Sequence, residues 1–302
     1  MSVRILVLSL VTIALLPLSL AGAGTFTQKG TDDANTLNVV GGALAESVKQ
    51  SGRMGNDTLN ADMGGGDDTI QQDGGLGDDT LNAIGGDGND RITQNGGLGG
   101  DTLNADGGDG NDIISQKGGE GSNSYSDFLQ GGPGHDTIAA DGGDGNNTIT
   151  QSGGYGNDTL TATAGTGNDT INQSGGPDND TLDADAGDGN NRIYQSGGSG
   201  DDTITCIGGA GTDTVDILAG GGRDDLTYTC TAGSDVVYID GGGGWDELAI
   251  YANFANLTVR DKKGNLIFQR GVGGTTIRLR RVPAFTVYDD DGVTPLYAGG
   301  VN

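Results

Sequence analysis

Apolar residues recur along this chain at an interval of eleven. Leu59, Ile70, Leu81, Ile92, Leu103 and Ile114 form one series. Ile138, Ile149, Leu160, Ile171, Leu182, Ile193, Ile204, Val215, Leu226, Val237 and Leu248 form a second, and Phe26, Leu37 and Val48 keep the same phase ahead of the first. Each apolar marker sits in a short run such as Thr-Leu-Asn-Ala and is separated from the next by a glycine-rich stretch. Thr and β-branched residues favour strands and clustered glycines favour turns, so each unit reads as one short strand and one turn; a helix could not survive a glycine pair in every unit. The marker and the residue two positions later share one strand face. That second position is Ala61, Ala83, Ala105, Ala140, Ala162 and Ala184 in alternate units, and Gln50, Gln72, Gln94, Gln116, Gln151, Gln173 and Gln195 in the others. The true period is therefore 22 residues, made of two unlike halves.

This pattern predicts an all-β protein: a parallel β-solenoid, of β-roll or β-helix type, with 22-residue coils of two strands each. Stacked coils place like on like about 4.8 Å apart. The Gln side chains can then hydrogen-bond to their own copies in a ladder that satisfies both ends of the amide, while a small Ala opposite a long Gln fills a thin core. The spacing of 24 between Ile114 and Ile138 breaks the rhythm. An irregular insertion is expected near 118–133, with Glu120 to Pro133 either a loop excursion or a partial extra unit. After residue 249 the repeat ends. LTVRDKKGNLIFQR reads as a hairpin and TTIRLRRV and FTVY as further strands, so 250–302 is a small C-terminal β cap or a docking module. The imperfect first units, at Phe26, Leu37 and Val48, serve as a degenerate N-terminal cap, or else leave an edge for another copy and head-to-tail filaments.

Composition sharpens this picture. Of 302 residues 62 are Gly, and the formal net charge is −27. Leu, Ile, Val and Phe make up roughly a fifth of the chain, too little for a conventional globular core. The charge is uneven: −31 over 24–249 and +3 over 250–302. An acidic body argues against nucleic acid and for cations. The first 23 residues run from Arg4 through an apolar stretch, Ile5 to Leu20, to Ala21-Gly22-Ala23, and read as a secretory signal peptide. The expected location is then secreted or extracellular, at the cell surface or in the periplasm, with no membrane insertion after cleavage.

From Leu59 onward an acid stands two residues before the marker: Asp57, Asp68, Asp79, Asp90, Asp101, Asp112, Asp136, Asp158, Asp169, Asp180, Asp202, Asp213, Asp224, Asp235 and Asp246, with Asn147 and Asn191 the two replacements. Stacked coils gather these carboxylates into two columns. Like charges about 5 Å apart repel by roughly 1 kcal/mol in water and by more at lower dielectric; a cation between turns reverses the sign. Oxygen ligands of flexible geometry suit Ca2+. His135 is the one histidine and there are two cysteines, which leaves no donor set for zinc. A plain Gly-Asn-Asp turn accounts for one such unit; an Asp held in phase across the whole repeat points to multiple Ca2+ ions.

Gly74-Gly75-Leu76-Gly77-Asp78-Asp79-Thr80-Leu81-Asn82 and Gly131-Gly132-Pro133-Gly134-His135-Asp136-Thr137-Ile138-Ala139 resemble the nonapeptide of the RTX family, the haemolysin-type calcium-binding repeats. The likeness spans about Gly55 to Ala249. It implies a parallel β-roll with Ca2+ held between turns by the Asp carboxylates and turn carbonyls. Two departures stand out: an eleven-residue unit, and an N-terminal export signal where RTX proteins carry a C-terminal one.

No Ser/His/Asp or Cys/His arrangement accompanies the repeats, and the protein is not expected to be an enzyme. The alternatives to a structural or adhesive calcium-binding protein are a filament subunit, a β-helix enzyme acting on polysaccharide, and an ice- or polysaccharide-binding surface built on the outward Thr-x-Asn columns Thr58/Asn60, Thr80/Asn82 and Thr102/Asn104. Partners would be calcium, a further copy, or a cell-surface polysaccharide. Cys206 and Cys230 lie one coil plus two residues apart, an offset that leaves a disulfide and two buried thiols both open.

Overall fold

The computed structural model describes residues 3–4, 24–117, 135–231, 233–252, 257–270, 274–289 and 294–301. The segment read as a signal peptide, apart from Val3–Arg4, and the insertion near 118–133 lie outside the described residues. So does most of Asp289-Asp290-Asp291-Gly292. The described chain is all strand and turn, with no helix long and apolar enough to cross a membrane among the described residues. It divides into two units, 1–159 and 160–302. Each is a parallel β-solenoid.

In the first unit one sheet stacks Thr25–Lys29, Ser47–Met54, Thr69–Leu76, Arg91–Leu98, Ile113–Lys117 and Thr148–Ser152, and the other stacks Thr36–Val40, Thr58–Asp62, Thr80–Asp87, Thr102–Asp109 and Thr137–Asp141. The register is the repeat itself: Val48 pairs with Ile70, Ile70 with Ile92 and Ile92 with Ile114, while Leu59 pairs with Leu81 and Leu81 with Leu103. The markers from Leu59 to Ile114 are essentially shut off from solvent. At the irregular coil, Ile113 pairs with Thr148 and Thr102 with Thr137. Both sheets thus step by 35 residues and resume in phase. Against a half-coil of eleven, the spacing of 24 carries thirteen extra residues between Ile113–Lys117 and Thr137–Asp141, and the described strands on either side pair directly with one another in both sheets.

The Gln ladder forms as the repeat requires. Gln50 Nε2 donates to Gln28 Oε1 at 2.8 Å, Gln72 to Gln50 at 2.8 Å, Gln94 to Gln72 at 2.7 Å and Gln116 to Gln94 at 2.8 Å. Each amide has a second partner that periodicity did not foretell. Gln72 Nε2 also donates to the Asn82 carbonyl at 2.9 Å and Gln94 Nε2 to the Asn104 carbonyl at 2.9 Å. The side chain therefore reaches through the core to the opposite sheet, which the small Ala beside those carbonyls permits.

In the second unit one sheet runs Thr170–Pro177, Arg192–Ser199, Thr214–Gly222, Val236–Gly244, Thr275–Arg280, Leu257–Asp261 and Leu266–Arg270. The other runs from Thr159–Thr163, where the division falls, through Thr181–Asp185, Thr203–Ile207, Asp225–Cys230, Glu247–Ala252 and Val282–Tyr288 to Pro295–Val301. Here the core changes. Gln195 stacks on Ile217 and Ile217 on Ile239, while Ala184 stacks on Cys206, Cys206 on Tyr228 and Tyr228 on Ile250. Large apolar residues replace the Gln–Ala arrangement, and the ladder ends with Gln195 Oε1 buried and unpartnered.

The expected hairpin after residue 250 is present: Leu257–Asp261 pairs antiparallel with Leu266–Arg270. Thr275–Arg280 and Val282–Tyr288 stack in parallel on Val236–Asp240 and Glu247–Tyr251, and the outermost strands, Leu266–Arg270 and Pro295–Val301, are antiparallel and irregular in register. Asp240 clamps this end. Arg281 binds it through Nε and Nη2, both at 2.7 Å, and Arg280 approaches at 3.1 Å. Cys206 and Cys230 are free and buried, with the two-residue offset preserved because Cys206 pairs with Tyr228.

Candidate metal-binding turns

Each turn places its Asp by a device made of two neighbouring residues. The inner residue is the Asp of the repeat. Its Oδ1 accepts the main-chain N–H of the matching residue one coil earlier: Asp57 N–H donates to Asp79 Oδ1 at 2.7 Å, Asp79 to Asp101 at 2.9 Å and Asp101 to Asp136 at 2.7 Å. On the other edge Asp68 N–H donates to Asp90 at 2.7 Å and Asp90 to Asp112 at 2.7 Å. In the second unit Asp180 donates to Asp202, Asp202 to Asp224 and Asp224 to Asp246, and across the coil Asn191 donates to Asp213 and Asp213 to Asp235.

The outer residue, just before the Asp, works in the opposite direction. Asn56 Oδ1 accepts Asp78 N–H, Asp67 accepts Asn89, Asn89 accepts Asn111, and Asn179 accepts Asp201. His135 stands in this outer column and accepts Asn157 N–H at Nδ1, 2.9 Å away. In Asp78-Asp79 and Asn89-Asp90 the two amide groups are thus capped by side chains from coils on either side. This explains why the dipeptide recurs. The outer residues carry a ladder that reasoning about the Asp columns alone passes over; their signal was the recurrent Asn or Asp at that position. Glu46 and Asn35 head the two inner columns, giving Asp68 Oδ1 and Asp57 Oδ1 a main-chain N–H each.

Glycine makes room for this arrangement. A Cβ on Gly74 would collide with Asp79 Oδ2 and with the Gly96 carbonyl of the next coil; one on Gly107 would lie 2.7 Å from Asp112 Oδ2 and 2.9 Å from the Gly142 carbonyl oxygen. The Asp oxygen and a main-chain carbonyl therefore converge on the volume a side chain would have filled. Gly75 and Gly77 take φ of 116° and 129°, which L-residues avoid.

The outcome for the carboxylate is lopsided. Oδ1 is committed to the neighbouring coil. Oδ2 is buried and has no hydrogen-bond partner in Asp57, Asp68, Asp79, Asp90, Asp101, Asp112, Asp202, Asp213, Asp224 and Asp246. Loss of solvent, reinforced by neighbouring carboxylates, pushes the pKa of Asp68, Asp79, Asp112 and Asp202 up to about 6, and that of Asp101, Asp213 and Asp224 up to about 7. The direction is the same for Asp57, Asp90 and Asp246, with burial again the first cause. A buried carboxylate oxygen facing a carbonyl oxygen calls for a proton or a cation between them. Of the remaining Asp residues of the repeat, Asp136 and Asp169 are buried in the same columns, as are Asp158 and Asp180. Asp235 is the exception, since Tyr228 Oη and Thr275 Oγ1 each donate to its Oδ2 at 3.0 Å.

Among the described residues no three His, Cys, Asp or Glu side chains gather as a metal cluster. The columns instead offer one carboxylate per rung with main-chain carbonyls beside it, a donor set of hard oxygens that fits Ca2+. On the outer face of the Ala-bearing sheet, Asn60, Asn82 and Asn104 each donate to the preceding Asn at 2.7–2.8 Å, forming a largely half-buried amide ladder from Asn38. Comparison of the chain with protein-family models, with curated proteins and with solved structures gives no match. The likeness to RTX repeats rests on the motif.

Proposed function

We propose that this chain is a secreted calcium-binding repeat protein of RTX type, with a structural or adhesive role outside the cell and with folding coupled to Ca2+. The observation that carries the reading is the unanswered Oδ2 of the buried Asp rungs, which meets a main-chain carbonyl where a Cβ is missing. Asp57, Asp79 and Asp101 on one edge, and Asp68, Asp90 and Asp112 on the other, would hold ions together with turn carbonyls; bound calcium supplies the positive charge the columns lack. Extracellular calcium modules work at dissociation constants of about 10⁻⁴–10⁻³ M, so the export signal read at the N-terminus and the site chemistry agree. Because stacked rungs do not exist in the unfolded chain, binding energy becomes folding energy. Far-UV circular dichroism in excess calcium and then in excess chelator tests this. A β signal that chelator leaves unchanged sinks the coupling.

Head-to-tail assembly is the second reading. Among the described residues Thr36–Val40 ends its sheet in the first unit, a parallel edge that a further copy can extend. Light scattering during calcium titration separates assembly from folding.

A further inference from the structure

We propose that the residues of the columns themselves decide which rungs take a cation: Asn147, Asn191 and Asp235 are closed rungs, and the Asp rungs with an unanswered Oδ2 are open ones. The inference rests on the calcium reading above and adds a map to it.

The closed rungs show what the open ones lack. Asn147 and Asn191 occupy inner-column positions and keep the Oδ1 function, accepting Asp112 N–H and Asp169 N–H at 2.8 Å. Their other atom is an amide nitrogen. Asn147 Nδ2 donates to the Gly143 carbonyl at 3.1 Å, and Asn191 Nδ2 donates to the Gly187 and Gly208 carbonyls at 3.3 Å. The nitrogen also occupies the same place as the orphaned oxygen of its neighbour: a Cβ on Gly142 would lie 3.0 Å from Asn147 Nδ2, just as one on Gly107 would lie 2.7 Å from Asp112 Oδ2. An amide there brings its own hydrogens to the turn carbonyls. A carboxylate brings another acceptor.

Asp235 is closed by a different route. Tyr228, fully buried, stands in the column of Ala184 and Cys206. Its ring crosses the core and its hydroxyl reaches Asp235 Oδ2, while Thr275, the position that follows Asp235 in the Asp column, supplies a second hydroxyl and accepts Asp235 N–H at 3.3 Å. Two O–H donors stand where a cation would be needed. In the first unit the edge of Asp68, Asp90 and Asp112 therefore meets a closed rung at Asn147, and in the second the rung of Asp213 lies between the closed rungs Asn191 and Asp235. On the other edge, Asp57, Asp79 and Asp101 in the first unit and Asp202, Asp224 and Asp246 in the second all keep an unanswered Oδ2.

The test counts ions. Wild type, Asn191→Asp, Asn147→Asp and Asp112→Asn are dialysed to equilibrium against saturating calcium, and bound calcium per chain is measured by elemental mass spectrometry as the excess on the protein side. Thermal melts are recorded in calcium and in chelator. Each Asn→Asp change is expected to add one ion and to lower the melting temperature in chelator but not in calcium; Asp112→Asn is expected to remove one ion and raise the melting temperature in chelator. A wild type that binds no calcium overturns the calcium reading itself. A wild type that binds calcium, beside variants with an unchanged count, overturns the map alone, as does an Asn191→Asp protein that fails to fold even in saturating calcium.

Discussion

At the scale of the residue, one Asp oxygen holds the fold while the other waits for a partner, and substitution separates the two. Asp79→Ala removes the acceptor of Asp57 N–H and leaves a buried donor unsatisfied, at a cost of about 1–3 kcal/mol. Asp79→Asn keeps that acceptor and places an amide beside the turn carbonyls. Urea denaturation in chelator should therefore rank Asn above wild type and Ala below it; in calcium, wild type should lead. A second case is Arg53, which stands where the repeat has the second glycine of the pair and is held at φ of 97°. Arg53→Gly should gain about 1 kcal/mol from relief of this backbone strain. That gain is set against loss of an exposed ion pair with Asp32, worth at most about 1 kcal/mol. A drop in the melting temperature would show that the strain argument is wrong.

At the scale of the element, the ladders are the unit of stability. Gln94 gives one hydrogen to Gln72 Oε1 and one to the Asn104 carbonyl, and accepts from Gln116. Gln94→Leu leaves Gln72 Oε1 without its donor and one of the two Gln116 Nε2 hydrogens without its acceptor, the other staying on the Ala139 carbonyl, and each group left unsatisfied costs about 1–3 kcal/mol. Equilibrium denaturation in calcium should show a loss of at least that size, larger than the loss for an exposed change such as Asn95→Ala. The alternation of Gln with Ala, and hence the ladder, was legible along the chain because it follows from the period of a strand. The bond from Gln to the opposite sheet was not, because sequence separation says nothing about how close two faces come. The irregular coil shows the same limit: its extra length is written in the spacing, whereas the direct stacking of the strands on either side is seen only in the pairing of Ile113 with Thr148 and Thr102 with Thr137.

At the scale of the whole molecule, the net charge of −27 and the buried columns make stability depend on pH in a direction that metal reverses. Asp68, Asp79, Asp112 and Asp202 have folded-state pKa values raised from 3.8 to about 6, and Asp101, Asp213 and Asp224 to about 7. The metal-free folded protein thus binds more protons than the unfolded chain between about pH 4 and pH 7. Its stability is greatest below that window and falls as pH rises through it. With calcium bound, ionised carboxylates are the favoured form, so stability should rise over the same window. Melting temperatures from pH 4 to pH 8, with chelator and with calcium, should give slopes of opposite sign. Equal slopes would mean that the columns hold no ion.

The repeat alone determined the fold class, the strand register and the residues that line the columns, because a strict period forces every coil to stack like on like. It also determined that the Asp residues occupy equivalent positions in the coil. Only the tertiary structure decided what surrounds them: which oxygen is used, which is orphaned, and where Asn147, Asn191 or the Tyr228 and Thr275 hydroxyls answer it. The physical reason is that a hydrogen bond is settled by ångström distances between residues a coil or more apart. Tyr228 meets Asp235 because one ring spans the core in a coil where Ile217 and Ile239 have displaced the Gln ladder, and no spacing along the chain records that meeting.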